Sequence, residues 1–254
     1  MENRREYRKY RTFELYDNGS ILNITDLESN LMQICRLTSL FGHSRNTTIY
    51  DDGGGKDRTE FLNKCYAIGY LFSGDYSSMK NIILYNSKDK FKTGKTLFIR
   101  RVLTLLSLYN NFKTEAIIVG RFSRITSKKY IKELAKKIKE EQRKLVYIDD
   151  LYERYSSCID TMPIELYKVI DSERIKGGIS FCDNYVPIIV SCNFAHEFRP
   201  GCWEDVYIKC EFSLYDDNDL DHLFWNNGIS DYIQDIKFCM DCLDYYKDFN
   251  NDVV

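Results

Sequence analysis

Two short segments of the chain contain side chains of the types that bind nucleotide phosphates and a metal ion. Thr93-Gly94-Lys95-Thr96 precedes an apolar stretch with helical spacing, and Asp149 and Asp150 end an apolar stretch further along the chain. A Gly-Lys-Thr sequence that opens a helix supplies amide donors, an ammonium group and a magnesium-binding hydroxyl. Paired aspartates at a strand end supply one carboxylate that anchors the metal and one that orients water. Together the two segments predict a P-loop ATPase that uses ATP and Mg²⁺.

The elements around the Gly-Lys-Thr segment have the order that a phosphate loop requires. The apolar run at residues 81–85 predicts a buried strand, and residues 97–109 predict a helix. The full motif has a glycine six residues before the lysine, but this chain has Asp89 there. A carboxylate at that position would repel a phosphate, and its side chain would hold the backbone away. A strand-to-helix turn that binds no nucleotide is therefore the alternative interpretation.

Length and composition limit the class of protein. A chain of 254 residues with 44% hydrophobic side chains can form one substantial α/β core with a small appendage. The charged start, Met1-Glu2-Asn3-Arg4-Arg5, and the lack of a long apolar run predict a cytoplasmic protein. Nine cysteines, an odd number scattered along the chain, are typical of reduced thiols.

Charge is unevenly distributed along the chain. The net charge of −2 excludes a uniformly basic nucleic-acid binder. Basic residues nevertheless crowd the N-terminus and residues 121–144, where a helix is predicted at 127–141. Two interpretations of this helix stay open: a surface that follows the phosphates of a nucleic acid, and an ordinary solvated helix face.

The pattern of apolar residues predicts three parts of an α/β protein. Residues 1–77 form a helical N-terminal segment, residues 78–200 form a P-loop ATPase core, and residues 201–254 form a small C-terminal α/β extension. Strands that alternate with helices in the core predict a mostly parallel sheet in a three-layer arrangement. The core strands are expected at 81–85, 115–119, 144–149 and 187–193, and the intervening helices at 96–109, 127–141 and 164–170.

Two further features follow the paired aspartates. Residues 174–181 contain a Gly-Gly pair between short strand-like stretches, which predicts a β-hairpin. Arg174 and Lys176 lie two residues apart and therefore on one face of the first hairpin strand. The strand at 187–193 ends in Asn193, whose amide is suited to hydrogen bonding a phosphate or a water, or to capping the next turn.

This ordered set of features resembles the ATPase domain of superfamily-3 helicases, especially the helicase portion of the primase-helicases of phages and mobile elements. The resemblance extends over residues 60–245. It implies an AAA+-like core in a homo-oligomer, usually a hexamer, that hydrolyses ATP between subunits and moves along single-stranded DNA or RNA. It also implies a bacterial or phage-infected cell, a role in replication, and a primase on a separate polypeptide.

The resemblance implies a role for each residue of the predicted nucleotide site. Thr93 and Gly94 belong to the phosphate loop, in which Lys95 contacts the β- and γ-phosphates and Thr96 binds magnesium. Asp149 holds the same metal, directly or through water.

The remaining implied roles belong to the attacking water and to the nucleic acid. Asp150 positions the water and Asn193 senses the γ-phosphate, while Arg174 and Lys176 contact the nucleic-acid backbone. Members of this group commonly have an Arg-Arg pair after this strand, which reaches a neighbouring subunit's nucleotide. In the corresponding segment this chain offers a single arginine, Arg199. A single candidate arginine finger and Asp89 favour a second hypothesis. It is a degenerate P-loop protein that assembles on DNA or on a replication or defence partner without turnover.

Cys239 and Cys242 have the spacing of a zinc knuckle. No second pair with matching separation accompanies them. A helix whose thiols face the core is therefore the favoured prediction for this segment.

Overall fold

The computed structural model describes residues 13–17, 20–24, 29–39, 56–86, 93–110, 128–140, 145–151, 153, 156, 159, 185–195, 206–213 and 231–251. Its helices are α1 (Asn30–Thr38), α2 (Lys56–Ser73), α3 (Lys95–Asn110), α4 (Lys128–Glu140) and α5 (Asp231–Asn251). Its strands are β1 (Phe13–Asp17), β2 (Ser20–Ile24), β3 (Asn81–Tyr85), β4 (Val146–Leu151), β5 (Ile188–Cys192) and β6 (Tyr207–Glu211). None of the helices within these ranges is both long and apolar enough to span a bilayer.

The chain divides into two compact units. The helix unit comprises Met1–Gly74, Lys92–Tyr109 and Phe212–Val254, and the sheet unit comprises Asp75–Phe91 and Asn110–Glu211. Helix α3, which begins at the lysine of the Gly-Lys-Thr sequence, thus belongs to the helix unit up to Tyr109. The division into three consecutive parts stays a prediction.

The sheet unit contains a four-stranded sheet in the order β4-β5-β3-β6, and every pairing in it is parallel. Strand β5 is buried along its whole length, and β3 is buried from Asn81 to Leu84. Continuous burial of this kind is typical of parallel strands, whereas a strand with one solvated face alternates. The predicted α/β class with a mostly parallel sheet is therefore confirmed.

Helix α4 packs against the parallel sheet through one apolar face. Leu134, Ala135 and Ile138 are buried in a cluster with Val146 and Val190. Their spacing places them on one side of the helix, so this side forms the contact with the sheet. The helix was predicted at residues 127–141 and is observed at Lys128–Glu140.

In the helix unit, a buried carboxylate joins three helices. Asp235 Oδ1 of α5 accepts hydrogen bonds from Ser29 Oγ at 2.7 Å and from Leu31 N at 2.9 Å. Ser29 Oγ also accepts the Met32 N–H at 3.0 Å, as a helix N-cap does. Arg101 Nε of α3 donates to Asp235 Oδ2 at 2.6 Å, so the buried charge is paired. Asp235 therefore fixes the start of α1 and α3 to α5.

Helices α2 and α5 pack with their backbones close together. A Cβ atom at Gly69 would overlap the carbonyl oxygen of Cys242 and the Cβ of Tyr246. Cys239 and Cys242 are fully buried, as predicted for thiols that face the core. Their burial raises the pKa of both thiols well above the ordinary value.

The N-terminal part departs from its prediction. The helical lead-in expected over residues 1–77 also contains β1 and β2, which pair as antiparallel strands with Asp17 opposite Ser20. Three other predicted elements lie outside the described residues, namely the strand at 115–119, the helix at 164–170 and the hairpin at 174–181.

Candidate functional site

One candidate group, in the helix unit, is the N-terminal end of α3. The first hydrogen bond of this helix runs from Phe98 N to Gly94 O at 2.9 Å, so the preceding amide groups point out of the helix end. The aligned peptide dipoles make this end positive. No acidic residue lies in the first turn, and the end of α3 is therefore electrostatically suited to an anion.

Gly94 has both a conformational and a steric reason to be glycine. Its φ of +83° lies in the left-handed region, which an L side chain rarely adopts. A Cβ atom there would also lie 2.9 Å from Thr38 Cγ2. Any larger residue would therefore move the backbone at the position where a phosphate loop must approach its ligand.

Lys95 places a second positive charge at this helix end. Its side chain is buried, with a relative exposure of 7%, and its Nζ donates a hydrogen bond to Thr93 Oγ1 at 2.8 Å. Thr93 is buried as well, whereas Thr96 is partly exposed. Burial of an ammonium group is unfavourable unless an anion or several acceptors compensate it. Thr93, Gly94, Lys95 and Thr96 thus form a compact group rich in donors.

A buried lysine that the sequence did not single out lies in the same unit. Lys64 of α2 is completely buried, and its Nζ donates to Ser39 Oγ at 2.7 Å. The same ammonium lies 4.6 Å from the centroid of the Phe212 ring, which packs edge-on against Phe98 at 5.4 Å. Lys64 occupies an apolar face of α2, so helical spacing alone gave no signal of it.

A separate candidate group, in the sheet unit, is the carboxyl end of β4. Pairing with β5 is regular as far as Ile148 opposite Val190 and resumes at Leu151 opposite Cys192. Asp149 and Asp150 therefore lie opposite the single residue Ser191. This two-against-one arrangement is a β-bulge in β4. Asp150 has a φ of +55°, in the left-handed region. The bulge turns the two neighbouring carboxylates in directions that a regular strand would not give.

Two hydroxyl groups converge on one oxygen of Asp149. Tyr147 Oη donates to Asp149 Oδ1 at 2.8 Å, and Ser191 Oγ donates to the same atom at 3.0 Å. Tyr147 and Ser191 are buried, and Asp149 is partly exposed. The carboxylate is therefore held from its buried side while it faces the end of the sheet.

Asn193 follows β5 and lies beside Asp150 at the end of the neighbouring strand β4. Asn193 Nδ2 donates to Asp150 Oδ1 at 2.8 Å, and both side chains reach solvent. The structure thus brings together three predicted site residues, Asp149, Asp150 and Asn193. It adds Tyr147 and Ser191, which the sequence analysis did not identify.

Helix α4 exposes part of its basic surface. Lys129, Lys132 and Lys136 are exposed, while Leu134 and Ile138 are buried. Both interpretations of this helix, a nucleic-acid surface and a solvated face, are compatible with that orientation. Four other predicted site or loop residues, Asp89, Arg174, Lys176 and Arg199, lie outside the described residues.

The described side chains could bind magnesium only if a substrate and waters supplied the remaining ligands. No group of three or more His, Cys, Asp or Glu side chains within the described ranges is arranged to hold a metal. Magnesium is commonly bound by one or two carboxylates together with substrate phosphates and waters. Asp149 in the sheet unit offers one oriented carboxylate, and Thr96 in the helix unit offers a threonine hydroxyl; each is a ligand type that such binding uses.

Searches against protein-family models, curated proteins and solved structures find no match for this chain. Its function is therefore inferred from its own residues.

Proposed function

We propose that the chain is an ATP- and Mg²⁺-dependent motor of the superfamily-3 helicase type that acts on single-stranded DNA or RNA in the replication of a phage or mobile element. The observation that supports this best is buried Lys95 at the positive end of α3. An ammonium group and a helix end concentrate positive charge where the first turn supplies no carboxylate. A polyphosphate would be attracted to both positive charges.

In this proposal the residues at the start of α3 bind the phosphates. The amide groups at the helix end and the ammonium of Lys95 donate hydrogen bonds to phosphate oxygens. Gly94 keeps the backbone accessible because it has no side chain. Thr96 supplies a hydroxyl ligand to the metal. Lys95 Nζ exchanges its hydrogen bond with Thr93 for the stronger, charge-assisted contact with a phosphate.

In this proposal the residues at the ends of β4 and β5 bind the metal ion and orient the attacking water. Asp149 would hold a magnesium ion, and the ion would supply positive charge to the phosphates when it is bound. Asp150 accepts a hydrogen bond from the attacking water and so orients it. Asn193 fixes the direction of Asp150 through the 2.8 Å hydrogen bond between their side chains.

The parts of the motor that act on other molecules are also proposals. Arg174 and Lys176 would contact the phosphate backbone of a single strand without reading its sequence. Arg199 would act on the nucleotide of a neighbouring copy in a homo-oligomer, as an arginine finger does. A separate primase or replication protein would be the protein partner.

A second candidate function is binding without turnover. The ammonium of Lys95 is buried against Thr93, which would suit a loop closed to phosphate. Asp89 adds a negative charge at the sequence position where the full phosphate-loop motif has a glycine. Such a protein would assemble on DNA or on a replication or defence partner and would leave ATP intact.

One set of measurements separates these functions. ATP binding and ATP hydrolysis are measured with and without Mg²⁺ and single-stranded DNA, in the parent protein and in Lys95→Ala. The control is Lys237→Ala, which removes an exposed lysine from the same unit. Hydrolysis lost in Lys95→Ala and kept in the control supports the motor. Binding without hydrolysis supports the second candidate, and equal hydrolysis in all three proteins contradicts the P-loop assignment.

A further inference from the structure

Ser191 lies between the two acidic residues at the end of β4 and touches both. Its Oγ is 3.0 Å from Asp149 Oδ1 and 2.9 Å from the backbone N of Asp150. We infer that Ser191, together with Tyr147, is a positioning residue that fixes Asp149 for a divalent metal ion and holds Asp150 in its left-handed conformation. This inference rests on the proposed function, because it assigns the metal to Asp149.

The hydrogen bonds around Ser191 can be assigned by counting protons. A serine hydroxyl has one proton to donate and can accept two. The Asp150 N–H must be the donor to Ser191 Oγ, so the serine proton is left for Asp149. Tyr147 Oη is 2.8 Å from Asp149 Oδ1 and 3.4 Å from Ser191 Oγ, and its single proton goes to the nearer carboxylate. Asp149 Oδ1 thus accepts both hydroxyl protons.

Two donors on one carboxylate oxygen fix the rotation of the Asp149 side chain. Hydrogen bonds to an ionised carboxylate are about twice as strong as neutral ones. The residues that orient a metal ligand in this way determine how well it binds, and their loss costs about 10–100-fold in metal affinity or activity. The two hydroxyls therefore hold the Asp149 carboxylate in one orientation before a metal ion binds.

Ser191 also accounts for the bulge. Strand β5 is otherwise apolar and fully buried, and Ser191 has a relative exposure of only 2%. A buried hydroxyl is costly without hydrogen bonds. Here it accepts the N–H of the extra residue in β4, Asp150, at the point where the regular pairing of the two strands is interrupted. Alanine at this position would leave that amide without its acceptor and Asp149 with one donor fewer.

The test measures binding of Mn²⁺ as a spectroscopic substitute for Mg²⁺. The ion is titrated into the full chain in the presence of a non-hydrolysable ATP analogue, and free Mn²⁺ is read by electron paramagnetic resonance. Ser191→Ala should weaken Mn²⁺ binding about 10–100-fold. Affinity for the analogue without metal should stay at the parent value. Ser191→Thr, which keeps the hydroxyl, should restore the metal affinity.

A matched pair of tyrosine variants covers the case in which Ser191→Ala does not fold. Tyr147→Phe removes only the hydroxyl that contacts Asp149. Tyr207→Phe removes another buried tyrosine hydroxyl of the sheet unit, one that donates to Ile159 O at 2.6 Å. The first should weaken Mn²⁺ binding, and the second should leave it unchanged while lowering stability.

The outcomes separate this inference from the proposed function. Parent protein that binds Mn²⁺ through Asp149, with unchanged affinity in Ser191→Ala and Tyr147→Phe, would overturn the positioning role and leave the proposed function standing. Parent protein whose Mn²⁺ binding is the same as that of Asp149→Asn would overturn both.

Discussion

Replacement of Asp150 should separate the backbone cost of the β4 bulge from the function of its carboxylate. Asp150 has a φ of +55°, a conformation that costs an L residue roughly 1–2 kcal/mol and glycine almost nothing. Strained backbone of this kind persists where the surrounding structure enforces it, often at a functional site. Asp150→Gly should therefore relieve the strain and at the same time remove the group proposed to orient water.

The size of the effect follows from comparing Asp150→Gly with Asp150→Ala. Both variants lack the carboxylate and the hydrogen bond from Asn193, so these losses cancel in the comparison. Alanine keeps the left-handed cost of roughly 1–2 kcal/mol, whereas glycine gives the unfolded chain extra entropy worth about 0.4–1 kcal/mol. The glycine variant should be the more stable by about 1 kcal/mol, the difference between these two terms.

Urea unfolding followed by far-UV circular dichroism measures this difference, and equal slopes show that the transitions are comparable. In a thermal scan, about 1 kcal/mol corresponds to a shift of about 2–4 °C for a domain of this size. Hydrolysis of ATP should be lost in both variants and in Asp150→Asn. Equal stability of the glycine and alanine variants would refute the strained bulge. Undiminished hydrolysis in Asp150→Gly would refute the role of Asp150 in orienting water.

Three further predictions concern other parts of the chain. Lys176→Ala should weaken binding of single-stranded DNA and lower the slope of its salt dependence, with basal ATPase unchanged; an unchanged slope would put the DNA surface elsewhere. Asp235→Ala should lower the free energy of unfolding by about 3 kcal/mol in urea, because it breaks a buried ion pair; a loss below about 1 kcal/mol, typical of exposed pairs, would contradict the joining role. Cys239 and Cys242 should resist a thiol reagent in the folded chain, because burial raises the pKa of both thiols. Above the ordinary thiol pKa only the unfolded chain loses these protons, so the free energy of unfolding should fall as the pH rises. Rapid labelling of the folded chain, or a free energy of unfolding that does not change at alkaline pH, would contradict this prediction.

Elements with continuous or strictly periodic apolar residues could be predicted from the sequence almost to their ends. Strand β3 was predicted and observed at residues 81–85. Helix α3 was predicted at 96–109 and is observed at Lys95–Asn110. Both have strong local signals: β3 is buried from Asn81 to Leu84, and the buried residues of α3, among them Phe98, Val102 and Leu105, recur at helical spacing. The paired strands β1 and β2 were missed although Asn18-Gly19 separates them, which is a strong signal of a two-residue hairpin connection.

Only those candidate residues that belong to a short local sequence motif could be predicted from the sequence. Asp149, Asp150 and Asn193 could be singled out because acids and amides at strand ends stand out from apolar runs, and the structure shows Asn193 bonded to Asp150; their functional roles stay predictions. Ser191 and Tyr147 were missed, because their importance depends on which residues of β4 and β5 face each other. Register is set by pairing between strands far apart in the sequence, and a bulge changes it by one residue. No local pattern contains that information.

Because Asp235 lies on α5, the helix unit cannot be completed until α5 has been synthesised. Its hydrogen bond to Ser29 joins residues 206 positions apart, and a ribosome needs roughly 10–40 s to translate that distance at about 5–20 residues per second. Helices α1 and α2 are synthesised long before α5, and both contact α5 in the folded chain, so they lack this packing partner in the meantime. The sheet unit lies entirely before α5 in the chain, so nascent chains that stop before α5 would contain every segment of the sheet unit and an incomplete helix unit. Such chains are natural targets for chaperones and proteases.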